Sequence, residues 1–141
     1  MIVVDVNQIA YLLIAGEGTP TAEAVLAADP EWAAPLLWRS EWRNFLASYL
    51  RSGLLDLLGI QERLDAGQVL VDGREYLVDG TRVMELVAGS TCSAYDCEYV
   101  ALAETLGVRL VTSDREVLEQ FSPRAVSPTR FVDATPDTRS T

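Results

Sequence analysis

"YDCEYVALAETLGVRLVTSD", Tyr95 to Asp114, holds a helical pattern, a glycine stop, a short apolar run and a final aspartate. The wider segment "SAYDCEYVALAETLG" spaces its apolar residues as a helix does, and "VRLVT" reads as a strand that is apolar throughout. A strand of that kind belongs inside a parallel sheet, covered on both faces. One carboxylate, Asp96, falls in the first turn of the helix, and another, Asp114, falls just past the strand.

The same alternation recurs on either side. "IVVD" is a β-branched run that ends at Asp5, and "NQIAYLLIAG" takes helical spacing until the break at Gly16–Gly18. "PTAEAVLAADP" reads as a helix closed by Pro30, "WAAPLLW" as an apolar strand, and "RSEWRNFLASYLRSG" as a helix with Glu41 in its first turn and Gly53 at its end. Between Leu54 and Gly89, "DLLGIQERLDAG" and "DGTRVMELVAG" are helical and "REYLV" is a short strand; after the quoted stretch, "SDREVLEQF" is helical again. Strands separated by helices of this length predict an α/β domain with a parallel sheet flanked by helices on both faces. Apolar periodicity fades after Val132, so the domain is expected over 1–132 with a disordered tail over 133–141.

Composition narrows the chemistry. The chain of 141 residues has no histidine, and its 11 basic residues are all arginine. That removes Ser-His-Asp and Cys-His nucleophiles, Schiff-base lysines and the phosphate-loop lysine. Acid–base work falls to carboxylates, tyrosines or a metal-bound water. A net charge of −10 argues against a broad basic face, but not against an acidic cleft whose sign a divalent cation reverses. No run reaches the ~20 apolar residues of a membrane span, and "MIVVDVNQIA" lacks a signal peptide's basic start, so a cytoplasmic protein with no membrane contact is expected. Cys92 and Cys97 indicate neither a disulfide framework nor a zinc site and read as small buried thiols.

Each acid has a structural reading. Ser93-x-x-Asp96 and Ser113-x-x-Glu116 fit capping boxes, Asp114 suits the positive end of a helix dipole, and Asp5 could cap the helix that opens at Asn7. Their joint placement points further, because the strand ends of an open parallel sheet share the edge where the crevice lies. Asp5 and Asp114 follow strands directly, Glu41 follows "WAAPLLW" by three residues, and Asp96 lies one helix upstream of the strand that delivers Asp114. With Ser93 and Ser113 available as caps, capping does not call for carboxylates at all four corners. Four crowded carboxylates repel until a hard cation enters, and Mg²⁺, with Mn²⁺ able to substitute, prefers such oxygen ligands. The chemistry that follows is metal-assisted hydrolysis of a phosphodiester.

At these residues the sequence resembles the PIN-domain nucleases and, within them, the VapC-type toxins of toxin–antitoxin pairs. "VVDVN" is similar to their first acidic strand end, "RSEWRNFL" to their helix-borne glutamate, "SAYDCEYVALAETLG" to their most recognisable segment, and "VRLVTSD" to their last acidic strand end. The resemblance runs over about residues 1 to 132. It implies a catalytic set of Asp5, Glu41, Asp96, Asp114 and Thr112, with Asp5, Asp96 and Asp114 as metal ligands and the Thr112 hydroxyl in support. It also implies a metal-dependent ribonuclease, a homodimer, and an antitoxin partner that holds it inactive. The segment Gly67 to Gly80, with its "VDGREYLVDG" turns, departs from the family pattern, as does the overall acidity.

Arg39 and Arg43 flank Glu41 and could grip phosphate at the cleft rim or simply lie on a solvated helix face; Arg115, beside Asp114, has the same two readings. Trp32, Trp38 and Trp42 could stack on bases but at this spacing pack a core or a dimer face, and a homodimer is expected near Trp32, Trp42, Phe45 and Tyr49. Two alternatives stay beside the nuclease: a receiver-like signalling domain, which would need a lysine the chain lacks, and a PIN-like binding module without nuclease activity.

Overall fold

A computed structural model of the chain describes residues 1–135. In chain order the elements are β1 (Ile2–Val4), α1 (Val6–Leu13), α2 (Thr19–Ala28), β2 (Trp32–Pro35), α3 (Trp38–Arg51), α4 (Leu57–Leu70), β3 (Glu75–Tyr76), α5 (Gly80–Ala88), α6 (Ala94–Leu106), β4 (Leu110–Val111), α7 (Arg115–Phe121), β5 (Ala125–Val126) and α8 (Pro128–Ala134). The strands form one five-stranded sheet in the order β3-β2-β1-β4-β5, and every pairing is parallel. β1 lies in the middle, with Val3 opposite Ala33 on one side and Leu110 on the other.

Strand order dictates where the helices go. The chain steps outward from β1 to β2 to β3, then crosses back to β4 and continues to β5. Right-handed crossovers that run in opposite directions place their helices on opposite faces. Side-chain alternation shows the result. Val3, Ala33, Leu110 and Ala125 pack in one core with residues of α5, α6 and α7. Ile2, Val4, Trp32, Ala34, Val111 and Val126 pack in the other, against α1, α2, α3, α4 and α8. The reversal of direction falls between β1 and β4, and a crevice at the carboxyl end of the strands is expected there.

The expected α/β architecture is the observed one, with local differences. Trp38 opens α3, so the strand read in "WAAPLLW" stops at Pro35. β5 and α8, within "SPRAVSPTRFVDA", went unread because a two-residue strand has no periodicity to detect. The tail expected over 133–141 begins inside α8; from residue 136 onward it lies outside the described residues. The Gly67 to Gly80 segment ends α4, turns at Gly73 with φ 73° and supplies the edge strand β3. Among the described residues no helix is long and apolar enough to cross a membrane.

All three tryptophans are fully buried, which removes them both as base platforms and as a dimer face. Each indole N–H has a partner: Trp32 donates to the Asp29 carbonyl at 2.9 Å, Trp38 to Glu75 Oε1 at 2.6 Å and Trp42 to the Arg63 carbonyl at 3.1 Å. Glu75 also takes both arms of Arg39 at 2.6 Å and Gln68 Nε2 at 2.9 Å, so it ties the edge strand to α3 and α4. Arg39 and these hydrogen bonds hold the Glu75 carboxyl down at about 2.

Gly67 sits where α4 meets the indoles, and a Cβ there would stand 2.9 Å from Trp42 Nε1 and 3.2 Å from Trp38 Cζ3. Helix propensity alone says that Gly67→Ala gains about 1 kcal/mol. Overpacking costs about 1–3 kcal/mol and outweighs it. Chemical denaturation should therefore show Gly67→Ala less stable than wild type; a stabilised variant would mean that the tryptophans yield freely.

Candidate active site

Four separate elements bring carboxylates to the carboxyl edge at the switch between β1 and β4. Asp5 follows β1, and Asp114 follows β4 after Thr112 and Ser113. Glu41 is in the first turn of α3, which leaves the same edge after β2. Asp96 is in the first turn of α6, which runs back to the opposite edge to feed β4 and so starts at this one. Asp5, Glu41, Asp96, Asp114 and Thr112 line one small cleft together with Asn7 and Tyr99.

Two of the acids cap helices and line the cleft at once. Asp5 is the N-cap of α1 and accepts from the Gln8 N–H at 3.2 Å; Asp114 is the N-cap of α7 and accepts from the Val117 N–H at 3.0 Å. Ser93 caps α6 and accepts from the Asp96 N–H at 3.1 Å, as expected. Ser113 does not cap α7. A cap needs its oxygen over the first turn, and Asp114 already occupies that place, so the Ser113 hydroxyl turns aside and accepts from Gln8 Nε2 at 3.2 Å.

The remaining polar groups fix the acids. Thr112, buried, donates its hydroxyl to Asp5 Oδ2 and accepts from the Asp114 N–H at 3.1 Å, so one side chain joins the two strand ends. Tyr99, also buried, donates to Glu41 Oε1 at 2.5 Å. Sequence reasoning missed Tyr99, although its position three residues after Asp96 puts both on one face of α6. Asn7 was missed too, and nothing but its place after Asp5 signals it.

Electrostatics link the four acids in a ring. Burial raises the Asp5 carboxyl from 3.8 to about 6 despite hydrogen bonds from Thr112 and Gln8, and the charges of Glu41 and Asp114 add to the rise. Burial raises Glu41 against the Tyr99 hydrogen bond, helped by Asp96 and Glu98. Burial raises Asp96 as well, helped by Asp114 and Glu116. Each acid therefore repels the next around the cleft. An all-oxygen donor set of this charge fits a hard divalent cation. The acids share the cleft without closing it: among the described residues no three carboxylates stand close enough to form a ready-made coordination shell. Caps and hydrogen bonds hold them apart, where their repulsion is smaller.

The arginines behave differently from the acids. Arg39, Arg43 and Arg115 do not line the cleft. Arg39 is held by Glu75, while the Arg43 guanidinium donates to Ser40 Oγ at 3.3 Å. Cys92 and Cys97 are buried and unbridged, and burial pushes Cys92 up to about 11, so neither is a nucleophile.

Comparison with known proteins accords with this geometry. The model of the PIN domain family matches residues 2–122, and the chain belongs to that family. Within it the chain is of VapC type. It is 31% identical to Ribonuclease VapC3 of Pyrobaculum aerophilum over 130 residues, which cover 90% of this chain and 98% of the relative. A crystal structure of a Pyrobaculum aerophilum protein superimposes with a TM-score of 0.73 at 20% identity, covering 94% of this chain and 86% of that one. A toxin–antitoxin complex from Klebsiella pneumoniae gives a TM-score of 0.64 at 16% identity, covering 91% and 98%.

The raised Asp5 pKa sets a pH dependence. Between the unfolded value of 3.8 and about 6 the folded chain binds the proton more tightly than the unfolded chain does. Stability from this group is therefore lost as pH rises through that window. In chelator, the Tm of Asp5→Asn should gain on the wild-type Tm as pH rises from about 4 to about 6; a difference that stays flat or shrinks would show that Asp5 is not destabilised by its surroundings.

Proposed function

We propose that the chain is an Mg²⁺-dependent endoribonuclease, the toxin of a toxin–antitoxin pair, acting in the cytoplasm as a homodimer. The observation that supports the nuclease most is the ring of mutually repelling carboxylates from four elements at the sheet's switch point. Asp5, Asp96 and Asp114 are the residues that would hold the cation, Mg²⁺ or Mn²⁺ in its place. A divalent cation held there would supply charge neutralisation for the acids, a lowered pKa for a water and a counter-charge for the phosphate.

The chain's own groups do the rest. Thr112 fixes the Asp5 carboxylate and the backbone of Asp114, so two ligands keep their spacing. Tyr99 occupies one oxygen of Glu41 and leaves the other to orient the attacking water and take its proton, a task that suits a raised carboxyl. With Arg39 committed to Glu75, Arg43 and Arg115 are the cations for the RNA phosphates.

The partners follow from relatives and surface together. The relative is named a ribonuclease, and one structural neighbour is a toxin bound to its antitoxin. Leu54, Leu57 and Leu58, each about 70% exposed around the α3–α4 junction, offer apolar surface for an antitoxin or a second copy. Unbridged buried cysteines suit a reducing compartment.

Asp114→Asn tests the nuclease. Asparagine also caps helices, so the fold should persist. RNA cleavage with Mg²⁺ or Mn²⁺ should fall by at least the roughly 10–100-fold that losing a metal's outer-shell partner costs. Retained cleavage, together with equal stabilisation of both proteins by Mn²⁺, would refute the site.

A further inference from the structure

Pairing between β1 and β4 ends at Val4 and Val111, so Asp5 and Asp114 both lie past the last rung of the sheet. The charge of Asp114 pushes on Asp5 across that gap. Among the described residues two side-chain links cross it: Thr112 donates to Asp5 Oδ2, and Gln8 Nε2 donates to Ser113 Oγ at 3.2 Å. Thr112 and Gln8 are also the polar side chains that the described part of the fold buries outright. Thr112 already has a part in the site.

Folding alone does not call for a glutamine at position 8. It sits in α1 beside the buried Ile9 and Ala10, and its Oε1 has no hydrogen-bond partner among the described residues. A buried amide oxygen left unpaired is costly, and leucine, of similar size, would pack there without that cost. What the amide does make is the bond to Ser113, an exposed residue that packing does not hold and that stands between Thr112 and Asp114. A segment tied only at Thr112 could still swing about that point; tying the next residue to α1 stops the swing. Gln8 reaches Asp5 as well, because its backbone N–H donates to that carboxylate at 3.2 Å. One residue thus holds Asp5 by its main chain and the neighbour of Asp114 by its side chain.

We propose that Gln8 is a positioning residue of the metal site, which through Ser113 fixes the Asp114 carboxylate relative to Asp5. It touches neither cation nor RNA. Outer partners of this kind set metal affinity by holding the ligands in place. The proposal rests on the metal-dependent nuclease reading above.

Mn²⁺ titration, with the free ion read by its EPR signal, together with chemical denaturation in chelator, tests it on Gln8→Leu, Ser113→Ala and the double variant. Stability should move in opposite directions. Gln8→Leu removes the unpaired amide and should be at least as stable as wild type, whereas Ser113→Ala strands that amide and should be less stable. Mn²⁺ affinity should nonetheless fall about tenfold in both, and no further in the double variant, because they break one link; independent effects would multiply to about a hundredfold. Ser113→Thr, which keeps the hydroxyl, should bind Mn²⁺ as wild type does. Unchanged affinity in Gln8→Leu, a loss that follows stability rather than the link, or losses that multiply would overturn the positioning role. Wild type without saturable Mn²⁺ binding is a separate result, which refutes the metal reading itself and the role built on it.

Discussion

Repulsion among four carboxylates at one sheet edge is the interaction around which the rest of this molecule is arranged. Asp5 feels Glu41 and Asp114, Glu41 feels Asp96, and Asp96 feels Asp114. Among the described residues no arginine lines the cleft to relieve them. What the fold supplies instead is the start of four helices. α1, α3, α6 and α7 all begin at this edge, and a helix start favours negative charge by about 0.3–1 kcal/mol at an exposed site. That offsets part of the cost and leaves the Asp5 carboxyl still raised to about 6.

The topology explains why the acids meet. β1 is central, with β2 on one side and β4 on the other, and the chain reverses direction between β1 and β4. The helices after β1, β2 and β4 therefore start at one edge, and α6 starts there too because it must run back to reach β4. Thr112 and Tyr99 then turn proximity into geometry, the first by joining the two strand ends and the second by holding Glu41. Capping does not use up the acids: Asp114 presents one oxygen to the Val117 N–H, and Asp5 presents one to the Gln8 N–H and the other to the Thr112 hydroxyl, while both line the cleft.

Residues whose placement follows from local pattern were legible in the sequence. β1, α6 and β4 show as periodicity and composition, and the acids that follow them are placed by the general geometry of a parallel sheet. Residues defined by long-range contact were not legible. Glu75 lies on a two-residue strand and gains its role from Trp38, Arg39 and Gln68, so nothing local marks it, and for the same reason neither reading of Arg39, phosphate contact or solvated face, included this ion pair. The tryptophans look alike in the sequence whether they face solvent or core; the packing of α4 across α3 decides it for Trp38 and Trp42, and the sheet-face core decides it for Trp32. Ser113 was read as a cap because it precedes a helix; whether serine or the aspartate beside it caps depends on a one-residue shift that periodicity does not resolve.

The most direct measurement is a crystal structure of the wild-type protein soaked in Mn²⁺, with anomalous diffraction to locate the metal. A peak in the cleft within about 2.0–2.3 Å of carboxylate oxygens from Asp5, Asp96 and Asp114, with Glu41 still held by Tyr99, is the predicted result. A cleft without a peak at saturating Mn²⁺, or one in which the ion sits elsewhere on the acidic surface, would contradict it.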